Sequence, residues 1–266
     1  MNEVFLYVLA VAASRYDILV HAFTVLSNHY HLVVSDPCAR LPAFQQFLGA
    51  LVARAVNSAL GRREAFWAPA SYSAVSPGSP ADVVDKTAYV LANPVAAGLV
   101  RSAREWPGLW SAPEQIGGQA LEVRRPEHFF DPNGSMPDRV TLQLTVPTGF
   151  DSPEAFREVL GIALAEREAR AVRDRKGAFM GAARVLAQKP TARPASEEPR
   201  GKLNPRVAVR DKWKRIEALG RLVEFLTSYR AAWKARRNGN AGVLFPAGTY
   251  LLRVAHGVHC VAAGAG

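Results

Sequence analysis

The sequence predicts an α+β fold, an antiparallel sheet with helices on one face, and three observations lead there. Two runs rich in Val, Leu and Phe, from Ile18 to Leu26 and from His29 to Ser35, are separated only by Ser27-Asn28, the pattern of a tight hairpin. Segments before and after that hairpin repeat their apolar residues at helical rather than alternating spacing. The resulting order is helix, strand, strand, helix, strand, helix, an α+β pattern built on an antiparallel sheet.

Each element has its own reason. Residues 2–15 are apolar on every side, as a short buried helix would be. From about Pro42 to Leu60, Phe44, Phe47, Leu48, Leu51, Val52, Ala55 and Val56 recur at helical spacing, and Gly61 supplies the stop. Residues 66–75 read as a third strand. The turn cluster Ser76-Pro77-Gly78-Ser79-Pro80 opens a helix from about Ala81 to Leu91, which must end near Asn93-Pro94 because the proline ring excludes helical backbone before it. Residues 99–150 are rich in Pro and Gly, with a strand-like piece at Val140 to Val146, and read as a connector packed on the first domain. Ser152-Pro153-Glu154 is an N-cap followed by proline at the first helical position, opening a charged helix to about Arg175. Pro190, Pro194, Pro199 and Pro205 mark an extended linker near 187–206. A basic helix follows from about Arg210 to Arg237, with Ile216, Leu219, Leu222, Val223, Leu226, Tyr229 and Trp233 on one face and Gly239 as its cap. The expected units are therefore residues 1–112, a connector at 113–150, and a basic, mainly helical extension at 151–266.

Composition narrows the function. The chain has 266 residues, 49% of them hydrophobic, and a net charge of +10, which excludes wholesale disorder, a fibre and a disulfide scaffold. Cys38 and Cys260 lie far apart, the pattern of free thiols in a reducing compartment. The early apolar run Val4 to Ala13 is too short to span a bilayer and has no basic flank, so a cytoplasmic protein without a membrane partner is expected. The charge is uneven: residues 1–150 are close to neutral, whereas residues 151–266 hold 22 Lys and Arg against 11 Asp and Glu. Such an asymmetry suits a polyanion, nucleic acid being the commonest, although solvated helix faces would also produce it.

The chemistry-bearing pattern is Asn28-His29-Tyr30-His31. On a strand, residues two apart share a face, so His29 and His31 present two imidazoles side by side while Tyr30 points away. Two imidazoles suit a divalent metal with positions left open for oxygen ligands. On the later helix, Tyr89 and Asn93 are four apart and share a face. A phenol can act as a nucleophile and an amide oxygen can complete a metal's ligand set. Taken singly, each has a plain structural reading: a packed tyrosine, a helix-end asparagine, an incidental histidine pair. His256, His259 and Cys260 are close in sequence but have no fourth ligand near them.

Three ordered segments, Val20 to Val34 around the histidine pair, Tyr89-Val90-Leu91-Ala92-Asn93-Pro94-Val95-Ala96-Ala97-Gly98-Leu99-Val100, and Trp106-Pro107-Gly108-Leu109-Trp110-Ser111, together resemble the IS200-like single-tyrosine transposases, in the REP-associated tyrosine transposase branch. The resemblance covers roughly residues 1–112, and the remainder is similar to the long C-terminal extension of some members. It implies a ferredoxin-like HUH domain and a DNA transposase, a single-strand DNA endonuclease and strand transferase working through a 5′-phosphotyrosine intermediate. It assigns Tyr89 as nucleophile, His29 and His31 as ligands of a divalent metal, Mg²⁺ or Mn²⁺, and Asn93 as a third ligand. The implied substrate is single-stranded or hairpin DNA, whose bases could stack on Phe66, Trp67, Tyr72 or Trp110. Family members begin with a strand ahead of the first helix, whereas this chain enters the helix at once, so the sheet is expected to lack its first strand and to leave backbone unpaired beside the metal site. The alternatives are an inactive, truncated remnant that only binds nucleic acid, and a metal-dependent phosphoesterase that activates water and leaves Tyr89 idle.

Overall fold

The first helix, α1 (Asn2–Tyr16), is buried from Val4 to Ala13 apart from Leu6, as its all-round apolar sequence requires, and ends on Asp17 in the left-handed region at φ 53°. The computed structural model describes residues 1–68, 72–190, 192 and 206–262. Strands β1 (Leu19–Val25) and β2 (Tyr30–Ser35) form the expected antiparallel hairpin, its Ser27-Asn28 loop closed by a 2.8 Å bond from the Leu26 N–H to the His29 carbonyl. A register shift between Val20 and Ala22 places a bulge at His21. Before the bulge Val20 faces α1; after it Ala22 and Thr24 face the opposite side, while Phe23 and Val25 return to α1.

Helix α2 (Leu41–Ala59) begins where both oxygens of Asp36 accept the N–H groups of Arg40 and Leu41, at 2.8 and 2.7 Å. It is followed by Gly61 at φ 63°, a conformation that costs glycine little. The strand expected over 66–75 is not formed by the described residues of that span; residues 69–71 lie outside them. Trp67 explains why: its indole N–H donates to the Gly49 carbonyl at 2.8 Å and its ring packs edge-on to Tyr30, which draws the segment onto α2. A short strand β3 (Ser76–Pro77) comes later and pairs in parallel with residues beyond the linker.

Helix α3 (Pro80–Leu91) has Ser79 as N-cap, its hydroxyl accepting the Asp82 N–H, and Pro80 at the first helical position. Asn93-Pro94 breaks it and starts the single turn α4 (Asn93–Ala96). Pro94 has no N–H for the Val90 carbonyl, and the Val95 N–H turns to Ala92 instead of Leu91. Both freed carbonyls find partners in the sheet layer: the buried Thr24 hydroxyl donates to Val90 at 2.8 Å, and the Trp110 indole to Leu91 at 3.0 Å.

The remaining chain is β4 (Leu121–Arg124) and β5 (Arg139–Leu142), an antiparallel pair, then α5 (Pro153–Asp174), α6 (Ala182–Leu186), β6 (Val207–Ala208), α7 (Lys212–Arg237) and α8 (Tyr250–His256). The far edge of β1 is occupied by two segments of the connector: Leu109 accepts from Val25 at 2.9 Å, Ser111 donates to Phe23 at 3.0 Å, and Thr145 donates to Val20 at 2.9 Å. Among the described residues β2 has a ladder partner on one edge only, β1.

One finding corrects the expected arrangement of helices on one face of the sheet. Helices cover both faces of the hairpin: α1 and α2 lie with Val20, Phe23, Leu32 and Val34, while α3 and α5 lie with Ala22 and Val33. The His21 bulge gives β1 apolar residues on both sides, so each face needs a cover. The apolar clusters also run across the expected boundaries at 112 and 150, since Val123, Leu142 and Leu144 join α1, and Phe156, Leu160 and Leu164 of α5 join Ala88, Leu91 and Ala92. Each fully buried side chain of that size contributes about 1.5–3 kcal/mol, so α5 is held to α3 as core. Most of the linker near 187–206 lies outside the described residues. Of the predicted α7 face, Leu222, Leu226 and Tyr229 are half-buried, whereas Ile216, Leu219, Val223 and Trp233 are exposed. No helix among the described residues is long and apolar enough to cross a membrane.

Two measurements test this account. Thr24→Val keeps the side-chain shape but leaves the Val90 carbonyl without its donor, and should cost about 1–3 kcal/mol in urea unfolding, with Thr24→Ser recovering most of it. Stability should also fall in acid. His21 is buried, bonded to the Thr145 carbonyl and to the Ser35 hydroxyl, both at 2.8 Å, and burial lowers its pKa below the ordinary 6.5. The unfolded chain therefore binds a proton that the folded chain resists, so stability present above pH 6.5 is lost as pH falls below it. His29 and His31, also lowered, act with the same sign. Urea midpoints at pH 8 and pH 5 should differ, and less so in His21→Gln.

Candidate active site

The alternation of β2 and the cap on α3 bring four of the predicted residues together. Thr24 and His31 are cross-strand partners, so the strand position that holds α3 through Val90 lies opposite a site histidine. His29 and His31 have ring centroids 4.9 Å apart with planes at 90°. The Tyr89 ring, on the turn of α3 just before the break, stands edge-on to His31 with centroids 5.7 Å apart. Asn93, at the break itself, hydrogen-bonds the His29 side chain. All four thus converge within one side-chain layer between the hairpin and α3. Tyr30 points the other way, against Phe5 and Trp67.

The protonation states favour ligation. His29 Nδ1 is 2.7 Å from Asn28 Oδ1, and a carboxamide oxygen accepts, so this contact favours the tautomer with its proton on Nδ1. Burial lowers the His29 pKa, and the Asn93 hydrogen bond opposes this in part. His31 is pushed down to about 4, by burial first and then by His29 beside it. Both rings are therefore neutral at pH 7, the form that binds a metal. His31 Nε2 is buried without a hydrogen-bond partner, a costly state that a bound cation would relieve. Two neutral imidazoles, one with an orphaned nitrogen, and a neighbouring amide oxygen fit a divalent ion that keeps further positions for solvent or phosphate oxygens. No group of three or more His, Cys, Asp and Glu able to hold a metal occurs among the described residues, so the set is a mixed one.

Tyr89 itself is open, 44% exposed, beside an exposed His29 and a half-buried His31. Two cations flank its ring: Lys86 Nζ lies 5.7 Å and the Arg167 guanidinium carbon 5.8 Å from its centroid. Lys86 is one turn before Tyr89 and could have been read from helical spacing. Arg167, from α5, could not, because only the packing of α5 on α3 brings it there.

The other predicted residues serve elsewhere. The Trp110 indole N–H donates to the Leu91 carbonyl and that of Trp67 to Gly49, so both are engaged in holding helices and both are half-buried. Phe66 lies edge-on to Trp67, while Tyr72 is 48% exposed. His256 and His259 are exposed, and the Cys260 thiol donates to the Thr249 carbonyl.

Comparison of the chain with protein-family models, with curated proteins and with solved structures returns no match.

The histidine geometry predicts metal binding by itself, apart from any activity. Titration with Mn²⁺ should selectively broaden the imidazole NMR signals of His29 and His31 at substoichiometric ion, and His31→Ala should abolish the broadening at His29. Uniform broadening of all histidines would mean that no such site exists.

Proposed function

We propose that the chain is a metal-dependent tyrosine DNA endonuclease and strand transferase, a transposase of the IS200-like kind with a ferredoxin-like HUH core. The observation that carries this reading is the convergence of Tyr89 on His29 and His31, with the orphaned Nε2 of His31 in the same layer.

In this reading Tyr89 Oη attacks the phosphorus of a phosphodiester in single-stranded DNA. The new bond is Oη–P, the broken bond is P–O3′, and the products are a 5′-phosphotyrosine and a free 3′-hydroxyl. One phosphodiester replaces another, so the linkage is kept for rejoining when a 3′-hydroxyl attacks in reverse. A divalent metal held by His29, His31 and Asn93 would supply Lewis-acid polarisation of the phosphoryl oxygen. The residues of the chain set the rest. Asn28 accepts from His29, partial desolvation lowers the pKa of both rings, and the capped break of α3 holds Tyr89 against them. The exposure of Tyr89 leaves room for a strand to approach.

The surplus of positive charge supports a nucleic-acid substrate but belongs to another part of the chain. On α7, Lys212, Lys214, Arg215, Arg221, Arg230, Lys234, Arg236 and Arg237 outnumber Glu217 and Glu224, and Trp213 is 74% exposed. Such a helix adds salt-dependent, sequence-independent attraction to phosphates.

Incubation of the protein with single-stranded hairpin DNA and Mn²⁺ should yield a covalent adduct stable to denaturing electrophoresis. Tyr89→Phe should remove it entirely, and His31→Ala should reduce it by at least about a hundredfold. Cleavage without an adduct would identify a hydrolase that activates water instead. Salt-sensitive binding without cleavage would identify a DNA-binding protein.

A further inference from the structure

Arg167 lies outside every motif that points to the site, yet it stands beside the tyrosine. It comes from α5, and its Nη2 is 2.5 Å from Asp85 Oδ1, a carboxylate only 15% exposed. Asp85 is also bonded by Arg210, whose charge acts on the neighbouring Asp82 as well, so two carboxylates face two guanidinium groups and Lys86. Two of its three cations, Arg167 and Arg210, come from residues 151–266, whereas residues 1–150 hold nearly equal numbers of acids and bases. Among the described residues Asp85 is the only hydrogen-bonding partner of Arg167, which leaves Nε and Nη1 without one. Lys86 has no hydrogen bond or ion pair among those residues, and its ammonium lies 5.7 Å from the centre of the Tyr89 ring.

A purely structural role for Arg167, as a staple between α3 and α5, is redundant. The same two helices are already joined by Ala88, Leu91 and Ala92 against Phe156, Leu160 and Leu164. What the pair of cations adds is an anion site at the open tyrosine. The unengaged Nε–H and Nη1–H can each donate to a phosphate oxygen, and Asp85 holds the guanidinium in orientation.

We propose that Arg167 and Lys86 form the phosphate grip of the Tyr89 site, binding the non-bridging oxygens of the phosphodiester that Tyr89 attacks and of the phosphotyrosine that results. This rests on the reading of Tyr89 as a nucleophile toward DNA. It adds that the C-terminal part of the chain completes the site through α5, with Asp85 as a positioning residue.

The grip can be measured without chemistry. In the full chain carrying Tyr89→Phe, a 3′-labelled tetrathymidine with a 5′-phosphate should bind about tenfold more tightly than the same oligonucleotide with a 5′-hydroxyl, as judged by fluorescence anisotropy. Adding Arg167→Ala should bring that ratio close to one, and Arg167→Lys should keep part of it. Lys214→Ala, which removes the same charge from α7, should weaken both oligonucleotides alike and leave the ratio unchanged. Thermal melting followed by circular dichroism checks that each variant is folded; if Arg167→Ala unfolds, the Arg167→Lys and Lys86→Ala ratios decide in its place. A ratio near one before Arg167 is altered, or a ratio that survives its loss, overturns the proposal. Adduct formation separates it from the parent reading. An Arg167→Ala protein that forms adduct as fast as the unaltered chain would sink the grip and leave Tyr89 standing. Absence of adduct from the unaltered chain would sink Tyr89, while the phosphate ratio still decides the grip.

Discussion

The hydrogen bond from the Thr24 hydroxyl to the Val90 carbonyl is the contact on which the candidate site depends. Pro94 cannot continue α3, and its missing N–H leaves Val90 with an acceptor turned toward the sheet. Thr24 meets that acceptor from the middle of β1, and the Trp110 indole meets the next one, at Leu91. The helix end is thus fixed at two adjacent carbonyls, those of the two residues that follow Tyr89. Because Thr24 is paired across the strand with His31, the same bond sets how far the tyrosine stands from the histidines. A helix break that would cost stability in isolation becomes the device that registers helix against sheet.

A second constraint lies three residues earlier on the same strand. The bulge at His21 changes which side of β1 its residues face, so the hairpin has two apolar faces and is covered on both. One face is closed by α1 and α2 and holds large apolar side chains. The other is closed by α3 and α5 and contains Ala22, Thr24 and the two histidines, smaller or polar groups that leave space for chemistry. His21 is taken up in this architecture: its two ring nitrogens bond Ser35 and Thr145, joining both strands of the hairpin to the connector. The protein thus uses one histidine as a buried strut and keeps two unprotonated at the face that meets Tyr89.

The later chain is bound to the same region from two directions. Helix α5 shares its core with α3, and residues beyond the linker return so that β6 pairs with β3 and the Arg210 N–H bonds Asp82 at 3.0 Å. The N-terminal turn of the tyrosine helix is therefore held by chain segments more than a hundred residues away. This is why positive charge, nearly absent from the sequence around the motifs, is present around Tyr89 in space.

The sequence by itself determined α1, the hairpin with its Ser27-Asn28 loop, α2, the start and break of α3, and the bodies of α5 and α7, because each follows from local periodicity, caps and prolines. It also determined that His29 and His31 share a face, which needs only the alternation of a strand, and that Tyr89 and Asn93 share another, which needs only the pitch of a helix. Only the tertiary structure decided that those two faces meet, since the contact rests on Thr24 and Trp110 bonding carbonyls freed by Pro94. It likewise decided that helices lie on both sides of the hairpin, which a one-residue bulge at His21 brings about, and that 66–75 is drawn to α2 by Trp67 rather than laid into the sheet. Arg167 and Asp85 were invisible for the same reason. Their meeting depends on an apolar seam between helices far apart in sequence, and no local pattern encodes which distant surfaces will find it favourable to exclude water together.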